Sequence, residues 1–305
     1  RAVLATVPIS DASMQQRAGR AGRVAAGVCI RLWSASYRPE PHPRPEIERV
    51  ELDDLLLQSA ELGLVGDAFE NATWITPPPE FAVERALQRL KSLSAVDANG
   101  LTDIGRKLAQ LPVSTDEAAL LVGAPPSIDA TLCDLVAILQ SRGSLLRNLN
   151  ELRPDARAAA EDARAELLQG VADEVSMNLK LLQEGVATTH QLSRRRLDEA
   201  RSISRQLREL VGAKGESSQG LAEYILTRLP AAGFVKRPRA SKERGRSVPW
   251  ANGTIEVKVY PFDPVDPATE AWKSNAAVIL ETEWLSESNG VFGVGRMVLP
   301  TELEI

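Results

Sequence analysis

Gln16-Arg17-Ala18-Gly19-Arg20-Ala21-Gly22-Arg23 decides how the rest of this 305-residue chain is read. Three arginines stand at three-residue intervals behind a glutamine, with glycines at 19 and 22. Residues three and four apart share one face of a helix, so the pattern predicts a helix that brings Gln16, Arg20 and Arg23 onto one small target. Planar guanidinium forks suit a polyphosphate whose charge grows during transfer, and a neutral amide can orient an attacking water. A solvated basic helix start is the plainer alternative. Each glycine costs a helix about 1 kcal/mol relative to alanine, which argues that something needs the backbone close.

Outward from this run, residues 1–10 read as the end of a strand and its turn, with Ser10 or Asp11 capping the helix. Residues 28–33 read as a short strand. Pro39, Pro41, Pro43 and Pro45 then exclude regular structure and mark a linker. A helix is predicted from Glu46, with an apolar stripe of Ile47, Val50, Leu52, Leu55, Leu56 and Leu62 ending at Gly63. Pro77-Pro78-Pro79 marks a turn, and Val83, Ala86, Leu87, Leu90 and Leu93 define a second amphipathic helix over residues 80–93. Asp97-Ala98-Asn99-Gly100 signals a turn, after which Leu101-Thr102 caps a third helix over 103–111.

Residues 115–210 are patterned almost wholly as helix. Leu132, Leu135, Val136 and Leu139 form one stripe; Leu167, Leu168, Val171, Leu179, Leu181 and Leu182 form others. In the last helix Leu197, Ile203, Leu207 and Leu210 are expected inward and the arginines outward. Residues 214–220 read as a flexible break before a helix near 221–229. Alternation then predicts strands at 254–260, 277–284 and 291–299.

Composition is that of an ordinary globular protein, with 44% hydrophobic and 25% charged residues. No run of eighteen apolar residues and no leader is found, so the expectation is a cytoplasmic protein without a membrane partner. Cys29 and Cys133 are expected as buried free thiols, no metal-ligand spacing occurs, and two histidines give a hydrolytic triad little material. The net charge of −5 exerts no global pull on nucleic acid. Three islands are nonetheless basic: residues 1–31, 194–214 and 236–246. Local phosphate contacts or ordinary surface charge both account for them. Trp33, Trp74, Trp250, Trp272 and Trp284 could stack bases but read better as core or interface residues.

The run 16–23, followed in order by Pro45-Glu46-Ile47-Glu48-Arg49, Leu101-Thr102-Asp103-Ile104-Gly105-Arg106 and Leu111-Pro112, resembles the last conserved motif and C-terminal region of DEAH/RHA-type superfamily 2 helicases. Arg31-Leu32-Trp33 and the C-terminal third are similar to the bacterial HrpB subgroup of ATP-dependent RNA helicases. The resemblance implies a mainly α, multidomain chain. Its parts would be the end of a second RecA-like α/β lobe (1–38), a winged-helix module (45–113), a ratchet-like helical bundle (114–213) and a small OB-like β-barrel (221–305).

It further implies that Arg20 and Arg23 act as arginine fingers and Gln16 positions water. Gln16, Arg17, Gly19, Arg20, Gly22 and Arg23 together would meet ATP with Mg2+, Arg17 bracing the helix against acidic neighbours. The other nucleotide ligands would come from an N-terminal RecA-like lobe. The chain has no Gly-x-x-x-x-Gly-Lys-Ser/Thr loop and no DEAH box, so it is expected to be the C-terminal part of a longer enzyme and inactive alone. Arg194, Arg195, Arg201, Arg205 and Arg208, with Lys236 and Arg237, are the candidate contacts to single-stranded RNA or DNA. A non-catalytic single-strand-binding module is the alternative, and a protein-partner scaffold a third.

Overall fold

The computed structural model describes residues 8–34, 36–64, 66–98, 100–238, 247–260, 274–287 and 290–302. The chain divides into two compact units, residues 1–90 and 91–305.

In the first unit, α1 (Asp11–Ala18) starts at Ser10, whose hydroxyl accepts from Ser13 N at 3.3 Å. The Asp11 and Ala12 amides donate to Glu40 O and Pro41 O at 2.8 and 3.0 Å, so the proline-rich stretch is irregular but tied to this helix end. The helix does not reach Arg23. Gly19 caps it, and Gly22 adopts φ +89°, a left-handed conformation that costs glycine nothing. The chain then doubles back until a Cβ on Gly27 would lie 2.6 Å from Gly22 N. The strand expected at 28–33 is absent: no described segment pairs with it, and Val28, Ile30 and Leu32 are 85%, 78% and 92% exposed. Cys29, expected buried, is exposed for the same reason.

The helix expected from Glu46 is broken. A single 3-10 turn, Glu46–Glu48, precedes α2 (Asp53–Glu61), leaving Val50 and Leu62 outside the core while Leu52, Leu56 and Leu57 fill it. A short α3 (Asp67–Glu70) carries Phe69, whose ring meets Trp74 at 5.0 Å. α4 (Glu80–Ser92) matches the predicted amphipathic helix, burying Ala86 and Leu90. Arg85 pairs with Glu51 at 2.9 Å and Arg89 with the buried Asp53 at 3.6 Å, joining α4 to α2. Burial pushes the Asp53 carboxyl upward against the pull of Arg89.

The second unit opens with a two-rung hairpin, β1 (Val96–Asp97) and β2 (Gly100–Leu101), followed by α5 (Asp103–Ala109). The Thr102 hydroxyl accepts from Gly105 N at 3.0 Å and donates to Ser94 O at 2.7 Å, so one side chain both caps α5 and fixes it to the preceding turn. A Cβ on Gly105 would meet Ala95 O at 2.1 Å; only glycine fits there. The Leu-Thr-Asp-x-Gly run is therefore a packing device.

α6 (Thr115–Leu121) begins with a complete capping box between Ser114 and Glu117. α7 (Asp129–Gln140) is buried over nearly its whole length and packs against α9 (Glu174–Glu184) and α10 (Arg194–Val211). α8 (Pro154–Leu167) lies between them in sequence, its Arg164 buried. Leu197 and Leu207 point inward as predicted, but Leu210, in the last turn, is 55% exposed. Residues 214–220 are not free. Asp129 Oδ1 accepts from Lys214 N and Gly215 N, and a Cβ on Gly215 would lie 2.0 Å from Pro126 O.

After α11 (Leu221–Arg228) come β3 (Gly233–Lys236), β4 (Val248–Ala251), β5 (Glu256–Val259), β6 (Ala276–Glu287) and β7 (Gly290–Thr301). They close a barrel in the order β3-β4-β5-β7-β6, antiparallel throughout except for the parallel pair β5–β7. Phe234, Trp250, Val257, Ile279 and Val298 fill it. β3 and β4 lie outside the three strands predicted from alternation. The carboxylate of Glu174 on α9 accepts from Val298 N at 3.3 Å, where Met297 takes φ +53°. Burial pushes the Glu174 carboxyl upward. No helix among the described residues is long and apolar enough to cross a membrane.

Candidate functional site

Gln16 and Arg17 sit on the last turn of α1, whereas Arg20 and Arg23 follow in the glycine-containing loop. Gln16, Arg20 and Arg23 therefore do not share the one helical face that the spacing predicts. Gln16, Arg17, Gly19, Arg20, Gly22 and Arg23 are all exposed. None of these four polar side chains makes a hydrogen bond or ion pair with another described residue. No described acidic residue braces Arg17. Uncompensated guanidiniums beside a bare loop backbone fit an anionic phosphate ligand chemically.

Beside α1 lies an open cavity of about 680 Å³ whose lining includes Asp11, Met14, Arg31, Trp33, Tyr37 and Arg38. Its aromatic and cationic residues have no periodic spacing from which a cavity is legible. Among the described residues no group of three His, Cys, Asp or Glu side chains could hold a metal ion.

In the bundle, the arginines predicted as a strand-binding row separate into two kinds. Arg208 grips the buried Asp134 with two nitrogens, at 2.6 and 3.1 Å, and reaches Glu216 at 3.0 Å. Ser204 Oγ donates to the same carboxylate and Gln183 reaches it at 3.0 Å. Arg201 donates to Leu182 O and Gly185 O at 2.8 Å each, closing the C-terminus of α9. Arg201 and Arg208 are packing residues. Sequence spacing put them outward because the carbonyls and the carboxylate they serve come from other helices. Next to this network the Cys133 thiol, buried as predicted, is pushed up to about 12 by desolvation.

Arg194, Arg195 and Arg205 are exposed; Arg194 lies 3.9 Å from Asp198 and Arg205 donates to Arg201 O. Lys236 and Arg237 end β3, and of the basic island 236–246 only these two fall in the described residues. Trp250 is core, Trp33 is 40% exposed, and Trp272 lies outside the described residues.

Residues 86–113 match the winged-helix helicase-associated domain, HA2. The chain is 39% identical over 155 residues to the human probable ATP-dependent RNA helicase DHX34, covering 50% of this chain and 13% of that protein. It is 41% identical over 123 residues to the pre-mRNA-splicing factor ATP-dependent RNA helicase prp22 of Schizosaccharomyces pombe, covering 39% of this chain and 10% of that one. Among solved structures, the Escherichia coli DExH-box NTPase HrpB has the same fold, with a TM-score of 0.63 and 21% identity over 96% of this chain and 31% of that one. By sequence and fold the chain is related to the C-terminal portion of DEAH/RHA-type helicases. It spans about an eighth or less of the curated relatives' length and under a third of the HrpB chain.

Proposed function

We propose that this chain serves an ATP-dependent RNA helicase as the part carrying the arginine-finger segment and the C-terminal nucleic-acid-binding domains. The observation that carries this is the open, uncompensated set Gln16, Arg17, Arg20 and Arg23, in a chain whose relatives are ATP-dependent RNA helicases. ATP with Mg2+ supplies the phosphoryl group passed to water, and an N-terminal RecA-like lobe would hold most of it. On this chain, Arg20 and Arg23 neutralise charge on the phosphate, Gln16 orients a water, and Gly19 and Gly22 leave the backbone accessible. Arg17, with no partner among the described residues, joins the phosphate-facing group. The winged-helix, bundle and barrel segments would guide the strand.

The decisive experiment is RNA-stimulated ATPase in the full-length protein. Arg20→Ala or Arg23→Ala should lower turnover by about 10³-fold, as loss of an arginine finger does. A change within about threefold would remove the assigned role.

A second reading, a single-strand-binding module without catalysis, draws on the barrel. Its strand order, with one parallel pair closing an otherwise antiparallel Greek-key sheet, fits an oligonucleotide-binding barrel. Lys258 lies 5.0 Å over the Phe292 ring on its outer surface. That reading requires salt-sensitive RNA affinity indifferent to ATP.

A further inference from the structure

We propose that Arg142, Arg147 and Arg195 form a contact for the phosphate backbone of single-stranded RNA, on a seam between two loops of the helical bundle. The proposal rests on the RNA reading above and moves the strand contact from the length of α10 to this seam.

Two segments distant in sequence are stitched side by side here. Ser193 N donates to Leu145 O at 2.8 Å, Arg147 N to Gln191 O at 3.1 Å, and Leu146 and Leu192 form an antiparallel bridge. Beneath the seam the buried guanidinium of Arg164 clasps His190 O, Arg147 O and Gln191 O at 2.8, 2.9 and 2.9 Å. Leu145 and Leu192 anchor the two segments in the core. A second guanidinium, that of Arg196, holds Ser144 O at 2.8 Å and lies so close to Gly143 that a Cβ there would be 3.1 Å from it. The seam is a rigid platform, so a ligand binding on it orders no loop.

Exposed on this platform are Arg142, Arg147, Arg194 and Arg195. Arg194 has Asp198 within 3.9 Å, whereas Arg142, Arg147 and Arg195 have no ion-pair or side-chain hydrogen-bond partner among the described residues. Arg142 also takes φ +45°, where glycine is the default residue, so a cation is carried at a position the backbone would give to glycine. Exposed cations on two segments whose backbones are paired suit a polyanion crossing the seam. The arginines offer forked donors matched to phosphate oxygens, and no base-reading pattern accompanies them.

The test uses the 305-residue chain and fluorescein-labelled oligouridylate and oligoadenylate of about 12 nucleotides, within the usual span of a single-strand site. Anisotropy is measured between about 50 and 200 mM KCl. The triple variant Arg142→Gln, Arg147→Gln, Arg195→Gln should bind both oligonucleotides at least about tenfold more weakly, with a log-affinity against log-salt slope shallower by about 2, since each single-strand phosphate contact contributes about 0.7. Arg157→Gln, which removes the same kind of charge from an arginine paired with Glu161 at 2.7 Å, should bind as the unaltered chain does. Arg142→Gly relaxes the backbone while removing the charge; it should keep or raise the melting temperature and still weaken binding. Equal affinity and slope in the triple variant, or an equal loss in Arg157→Gln, overturns the seam and leaves the RNA reading standing. A loss confined to one of the two sequences overturns the phosphate assignment. No binding by the unaltered chain at low salt overturns the seam and the RNA reading together.

Discussion

The arginines of residues 17–23 and those of the helical bundle do opposite work. In the first unit Arg17, Arg20 and Arg23 are exposed and touch no acidic group or carbonyl among the described residues. In the second, Arg164, Arg201 and Arg228 each close open backbone carbonyls: Arg228 meets Ala119 O and Val122 O at 2.9 and 3.1 Å. Arg208 neutralises the buried carboxylate of Asp134, set among α7, α9 and α10. The same residue type is left open to solvent at 17–23 and serves as mortar at 164, 201, 208 and 228. What separates them is whether the fold brings unsatisfied acceptors within reach, which residue spacing alone does not report.

That contrast predicts opposite signatures. The largest effect is expected for Arg20→Ala or Arg23→Ala in the full-length protein: about 10³-fold in ATPase, near 4 kcal/mol of transition-state stabilisation. Thermal stability should stay within about 0.5 kcal/mol, as for other exposed side chains. A comparable fall in melting temperature would show that these arginines are mortar after all.

Asp134→Ala should do the reverse. It strands the guanidinium of Arg208 and the Ser204 hydroxyl, and should cost about 3 kcal/mol in chemical denaturation, the low end for a broken buried pair because Arg208 stays partly solvated. A loss under about 1 kcal/mol would place the network among ordinary surface pairs. Gly105→Ala is expected to cost about 2 kcal/mol, since its Cβ would overlap the Ala95 carbonyl and force the hairpin off α5.

The smallest effect concerns pH. Burial of Asp129 is outweighed by hydrogen bonds from the Gly215 and Lys214 amides, which hold its carboxyl below the usual range. A depressed carboxyl stabilises the fold above its unfolded value, about 3.9, and that stability is lost as pH falls through the folded value. Hydrogen-exchange protection of the Lys214 and Gly215 amides should therefore persist at neutral pH and fade only in acid. In Asp129→Ala protection should be low at every pH; persistent protection there would show that other contacts hold the segment.

Legibility followed the same divide. α4, α5 and the inward stripes of α7 and α10 were readable because helical periodicity reports burial directly. The helix predicted through Arg23 stops at Gly19, before Gly22 takes its positive φ, and the strand predicted at 28–33 has no described neighbour to pair with. The break at 214–220 looked flexible because its anchor, Asp129, lies far away in sequence.

By itself the sequence determined the run 16–23 with its phosphate-suited side chains and the order of most helical and β segments. Which arginines remain open to a ligand, how five short strands close into a barrel, and where two loops meet to gather Arg142, Arg147 and Arg195 were decided only in three dimensions. Local pattern encodes which face of an element is apolar. The partner of a charged group is set by segments tens of residues away, and only folding brings the two together.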